Sequence, residues 1–409
     1  MLQSRLQAES AVTTFALSET ASPEGRTPTH CMQTTTGRFD ENFSQRGEVG
    51  AALSVWQNGE EILHLTGGTL TKDGTAPWTA ETLVPVWSAT KGPAALTLLL
   101  TLHDAGLNLD CPVRAVWPQL ALPISFGELL SHQSGLPALD HPPSLFDYPS
   151  VIAALEHQAP AWTPGTAHGY HPRSFGFLLD ECVRRLTGGT PLGQVWHDRF
   201  ATPLGLDFWI GGLPGNRLSD VARLYPGKLK PPQPDEAAFF QAMADPASLT
   251  KRAFLSPGGL HSVTGMNQPA SWQAALPAFG GVGSARSLGK FYAILANGGM
   301  WQGQPVIPDQ VLSWTTTRLV NGFDRVLQLP TAFSAGFMMD PLNADGTKCR
   351  SRFGPSPTAF GHPGAGGSHA FADPTRGLSF AYVMNQMEQG VLPNEKSLCL
   401  LESVLEAVN

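Results

Sequence analysis

The stretch from Trp87 to Gly106, WSATKGPAALTLLLTLHDAG, constrains the fold more than any other in the chain. Ala94 to Leu102 is apolar on nearly every side, which suits a helix buried all round. The run is far shorter than the ~20 residues that cross a bilayer, so it belongs in a protein core. His103 and Asp104 give it a polar tail and Gly106 a C-cap. At the other end Ser88 and Lys91 stand three apart, on one face of a helical turn, where hydroxyl and amine can approach each other. Apolar walls and the nearby positive end of the helix dipole both favour the neutral amine. A neutral amine beside a hydroxyl is a general base beside a nucleophile, the pairing that serine acyl transfer requires. The same residues also fit a capped core helix with a snorkelling lysine, so the rest of the chain must choose.

Composition removes several alternatives. A chain of 409 residues can bury a large core, as two lobes or as one domain with a big insertion. Charged residues are 14% and the net charge is -7, which leaves no basic footprint for nucleic acid. Cys31, Cys111, Cys182, Cys349 and Cys399 are odd in number, widely spaced and free of any C-x-x-C. That argues against a disulfide framework or a zinc site and favours a reducing compartment. The N-terminus lacks a basic start followed by an apolar core, so no signal peptide is expected and the cytoplasm is the expected location. Neither a metal nor a cofactor is implied.

In chain order, residues 1–37 are rich in Ser, Thr and Glu and read as a loosely packed arm. Val49 to Gly68 gives two apolar runs joined at Asn58-Gly59, a strong hairpin signal. From Val113 to Gly283 the text reads as helices and loops, with a capping box at Ser125 to Glu128 and an amphipathic helix from Ser174 to Leu186. Ser284 to Asn297 is another helix. Strand text then returns at Phe333 to Met339, Thr358 to Gly364, Ser368 to Asp373 and Leu378 to Asn385, with a hairpin turn at Asp373 to Gly377. Glu395 to Val408 closes the chain as a helix. This order predicts an α+β fold in which one antiparallel sheet is built from both chain ends. Helices flank that sheet, and a mostly helical lobe is inserted. The expected partition is 38–112 with 284–409 for the α/β domain and 113–283 for the helical domain, with the active site in the cleft between them.

A Ser/Lys pair needs a third group to carry a proton to the leaving group. Of five tyrosines, Tyr170 stands apart, in the Pro/Gly loop WTPGTAHGYHP that opens the Ser174 helix. The glycines of GHPGAGGSHAF, Gly361 to Phe371, permit a substrate to approach the backbone closely, and a backbone N–H there could complete an oxyanion hole. A decoy lies in the same stretch. Gly366-Gly367-Ser368-His369-Ala370 comes within one residue of the G-x-S-x-G elbow, but Ser368 is followed by strand text where the elbow needs a helix.

SATK, the GYH tyrosine and HPG before a C-terminal strand together resemble the serine β-lactamase/penicillin-binding fold, and more narrowly the family VIII carboxylesterases of class C β-lactamase architecture. GEVGAALSVWQNG, LLSHQSGLPALD and PLGLDFWIG extend the likeness, which runs from about Arg38 to the C-terminus. The resemblance implies Ser88 as nucleophile, Lys91 as base and Tyr170 as the tyrosine that opens a Tyr-x-Asn motif. It also implies the N–H groups of Ser88 and Ala365 as oxyanion donors, with His362 and Gly364 lining the substrate site. Two departures stand out: Pro172 replaces the Asn, and His362-Pro363-Gly364 replaces Lys-Thr-Gly. Both push towards short-chain carboxylic esters as small-molecule substrates, hydrolysed through an acyl-enzyme, and away from penicillins. The alternatives are an acyltransferase, an amide-bond hydrolase or a weak β-lactamase on the same site. A non-enzyme alternative is a penicillin-recognising sensor acylated without turnover.

Overall fold

The computed structural model describes residues 30–408. Its main sheet has eight strands: Gly50–Gln57 (β1), Glu60–Gly68 (β2), Val320–Phe323 (β3), Pro330–Phe333 (β4), Met338–Met339 (β5), Phe360–Pro363 (β6), His369–Asp373 (β7) and Leu378–Met384 (β8). Their spatial order is β2-β1-β8-β7-β6-β5-β4-β3, antiparallel throughout. An α+β architecture with one antiparallel sheet drawn from both ends of the chain is therefore present.

Local chemistry explains the turns. Asn58 and Gly59 take φ of 53° and 83°, the left-handed pair that a two-residue hairpin needs between Gln57 and Glu60. Ser379 and Tyr382 lie on opposite faces of β8 and report what covers each. Ser379 Oγ donates to the carbonyl of Gly289, within helix Ala285–Ala296. Tyr382 Oη donates to Glu48, which is paired at 3.0 Å with Lys396 of the final helix, Glu395–Ala407. Helices thus cover both faces, which is why every residue of β8 is buried.

Several expectations shift. The first helix, His30–Ser44, begins inside the arm expected over 1–37, and Thr35 is fully buried. Residues 1–29 of that arm lie outside the described residues. Phe333 to Met339 is no single strand but a tight turn between β4 and β5. Gly336, at φ 84°, makes that turn, and a Cβ there would strike the Ala95 side chain on the buried helix. The interval 113–283, read as helices and loops, also contains strand. Phe208–Ile210 pairs with Gly281–Gly283, which pairs in turn with Val84–Pro85. Three-residue strands leave too little alternation to be read from sequence. They tie this interval to the segment just before Ser88.

Candidate active site

The chain reaches Ser88 under tight control. Val86 donates its N–H to the Gly281 carbonyl at 2.9 Å, extending the small sheet by one residue. Trp87 then takes φ 50°, a left-handed conformation that costs a bulky residue ~1–3 kcal/mol and persists only where its surroundings enforce it. Its indole stacks on Phe279, with centroids 6.4 Å apart. Trp87–Thr90 forms a single 3₁₀ turn, and the α-helix proper starts at Lys91 and runs to Asp104. The predicted single helix is therefore two segments in series. Ser88 is half-buried at the surface of this junction, while Lys91 to Leu102 are buried.

Lys91 Nζ makes three polar contacts: 2.8 Å to the Ala278 carbonyl, 3.0 Å to the Pro172 carbonyl and 3.5 Å to Ser88 Oγ. No carboxylate pairs with it among the described residues, and complete burial holds its pKa well below that of an exposed lysine. A neutral amine has two N–H bonds and one lone pair. In the neutral form, with two N–H bonds donated to those carbonyls, the lone pair would face the Ser88 hydroxyl. Pro172 thus does more than displace an amide: its carbonyl helps hold the Lys91 amine in place. Neither carbonyl partner was foreseeable, because any residue type can supply one.

Tyr170 lies beside this pair, its ring centroid 4.6 Å from Lys91 Nζ. Burial pushes its phenol up, the Ser88 hydroxyl pulls it partly back, and Asp324 adds to the rise. Although Tyr170 Oη is near enough to Ser88 for that influence, it makes no hydrogen bond of ordinary geometry. Phe333 stacks on the ring at 6.3 Å, and His132 and His362 flank it at 5.1 and 5.7 Å. Ser88, Lys91 and Tyr170, chosen from the sequence, are therefore brought together.

The remaining predicted residues fall around them. Gly364 opens the loop after β6 against Val86, and a Cβ there would overlap the Val86 carbonyl oxygen, which no rotamer change can relieve. Gly364, Gly366 and Gly367 donate their N–H groups to Ser368, Gly390 and Gly364, while that of the half-buried Ala365 has no main-chain acceptor among the described residues. Gly364→Ala should consequently push this loop off the Ser88 turn and cut kcat by about 10²-fold, the usual consequence of a misplacement near 1 Å. Steady-state kinetics on a p-nitrophenyl ester would check it, and a kcat within twofold to threefold of wild type would count against the loop's role. Ser368 is fully buried inside a β6–β7 hairpin and faces Gly364, so the strand-to-helix elbow is absent.

His362, expected to line the substrate site, is buried beside Tyr170. It is 1% exposed, its Nδ1 contacts the Pro363 carbonyl at 2.8 Å, and burial pushes its pKa down to about 3. His171 and His369 are likewise pushed down to about 3 by burial. An unfolded histidine titrates near ~6.5. Between those values only the unfolded chain takes up the protons. Stability is thus full above about pH 6.5 and falls as pH drops, by up to ~1.4 kcal/mol per pH unit for each ring. Melts between pH 8 and 4 should show a Tm that is level at first and then declines steeply; a level Tm down to pH 4 would contradict this.

Comparison with known proteins now bears on the site. Residues 38–397 match the family model described as Beta-lactamase. The chain belongs to the Beta-lactamase family. Within this Beta-lactamase fold it is similar to a penicillin-binding protein homolog from Caulobacter crescentus, at TM-score 0.80 and 32% identity over 94% of this chain and 99% of the other. A family VIII carboxylesterase is equally similar, at TM-score 0.80 and 30% identity, with the same coverage. The esterase/beta-lactamase LipL of Mycobacterium tuberculosis is 28% identical over 361 residues, 85% of this chain and 80% of LipL. Family and geometry together make the protein a serine hydrolase. Among the described residues there is no His/Cys/Asp/Glu cluster that could hold a metal and no helix long and apolar enough to cross a membrane.

Proposed function

We propose that this Beta-lactamase family protein is a serine carboxylesterase that hydrolyses short-chain esters through an acyl-enzyme on Ser88. The observation that carries the reading is the Lys91 amine, with both N–H bonds of its neutral form engaged and its lone pair left to the Ser88 hydroxyl. Ser88 Oγ attacks the ester carbonyl while its proton passes to Lys91 and Tyr170. The N–H groups of Ser88 and Ala365 hold the oxyanion, each worth ~3 kcal/mol in sites of this kind. Tyr170 returns the proton to the departing alcohol, and water repeats the sequence to free the acid. The cleft would lie between an α/β domain (38–112 and 284–409) that brings Ser88 and Lys91 and a helical domain (113–283) that brings Tyr170.

The preference for esters over β-lactams rests partly on His362, with the missing Asn at Pro172 and the shape of the cleft supplying the rest. Its Nδ1–H is directed to a carbonyl and its ring is neutral, so it offers no cation to a β-lactam carboxylate. A charged donor contributes ~1.5–3 kcal/mol against ~0.5–1.5 for a neutral one. The difference, about 1–1.5 kcal/mol, is roughly tenfold in affinity. The name of the LipL relative keeps β-lactam hydrolysis as a secondary activity to measure. The test is a series of p-nitrophenyl esters of increasing chain length, run beside nitrocefin. We expect kcat/KM for the butyrate to exceed that for nitrocefin by more than about tenfold, with product accumulating beyond one equivalent. A preference for nitrocefin, or a reaction that stops at one equivalent, would reject the esterase reading.

A further inference from the structure

Three consecutive main-chain N–H groups around Tyr170 are gripped by two residues distant in sequence. Gly169 donates to the His132 carbonyl at 3.1 Å, and His171 donates to His132 Nδ1 at 3.2 Å. Between them Tyr170 donates to both oxygens of Asp324, at 3.0 and 3.1 Å. Asp324 is fully buried and also accepts from the N–H groups of Val326 and Leu327, both at 2.8 Å, and from the Thr331 hydroxyl at 3.0 Å. The Thr331 oxygen in turn meets His168 Nε2 at 2.8 Å. Arg325 closes the other side by donating its N–H to the His168 carbonyl at 3.0 Å.

This arrangement is expensive. No lysine or arginine pairs with Asp324 among the described residues, so its buried carboxyl group depends on the donors of Tyr170, Val326, Leu327 and Thr331 alone. His132 adds to the cost, since it is fully buried and sits at φ 63°, in the left-handed region. What the two residues share is the main chain on either side of Tyr170, and the His132 ring also stands edge-on to the Tyr170 ring.

We propose that Asp324 and His132 are positioning residues that fix Tyr170 over Ser88 and Lys91. The inference rests on the reading of Tyr170 as the proton carrier. Asp324 acts through the Tyr170 main chain and touches neither substrate nor reacting atoms. Its removal therefore leaves substrate binding intact and lets the phenol drift from its aim.

Asp324→Asn keeps the size and turns one acceptor oxygen into a donor facing other donors. We expect kcat on p-nitrophenyl butyrate to fall by about 10²-fold with KM nearly unchanged. In a Tyr170→Phe background the same substitution should cost little, because the group it displaces is already gone. Equal losses in both backgrounds, or a loss confined to KM, would overturn the proposal. So would a wild-type Asp324→Asn beside a crippled Tyr170→Phe. A Tyr170→Phe variant with wild-type activity would instead remove the underlying reading and this inference with it. If Asp324→Asn does not fold, Thr331→Val decides, since it keeps the carboxyl group and deletes one of its donors. It should lower kcat by several-fold at constant KM, and an unchanged kcat would overturn the proposal.

Discussion

Ser88→Ala is expected to remove ester hydrolysis almost completely, on the order of 10⁶-fold in kcat by analogy with other serine nucleophiles that act as a unit with their base. Covalent labelling by a fluorophosphonate should vanish with it, while Ser368→Ala keeps most of its activity. The contrast follows from placement. Ser88 is half-exposed beside a buried amine, and Ser368 is sealed in a hairpin. A peptide map that put the label on Ser368 would overturn the assignment.

The second large effect concerns the base. Lys91→Ala and Tyr170→Phe should each lower kcat by about 10²–10⁴-fold, the range for a positioned general base or acid. The sign of the pH dependence follows from burial. Lys91 is active when neutral, and desolvation has lowered its pKa. The rate should thus climb with pH and reach its plateau well below the ~10.4 at which a free lysine loses its proton. In the proposed mechanism Lys91 and Tyr170 share that proton, so the apparent value belongs to the pair. A Lys91→Ala enzyme with near-native kcat and an unchanged profile would refute the role.

These two predictions draw on residues that were visible in the sequence, and the reason is physical. Ser88 and Lys91 are tied by a local spacing, and the apolar run behind them announced burial before any contact was known. The Asn58-Gly59 hairpin and the Ser125 to Glu128 capping box were legible for the same reason, since each is a short-range rule realised within four residues. Tyr170 was found by its loop and by family likeness. What stayed hidden was long-range. The carbonyls of Pro172 and Ala278 carry no side-chain signature, and Asp324 reaches Tyr170 across 154 residues. The burial of His362 was not legible, because strand text does not say which face a neighbouring element will cover.

The order of the sheet carries a consequence for how the protein is made. β8 leaves the ribosome more than 300 residues after β2, yet it lies between β1 and β7, with Met384 opposite Ala51. The hairpin of β1 and β2 must therefore wait with one edge uncovered while more than 300 residues are translated. At about 5–20 residues per second that wait is on the order of 15–60 s. An uncovered apolar edge is a template for pairing with other chains. Nascent chains stalled before Leu378 should accordingly be the species that chaperones retain and that aggregate when synthesis is rapid.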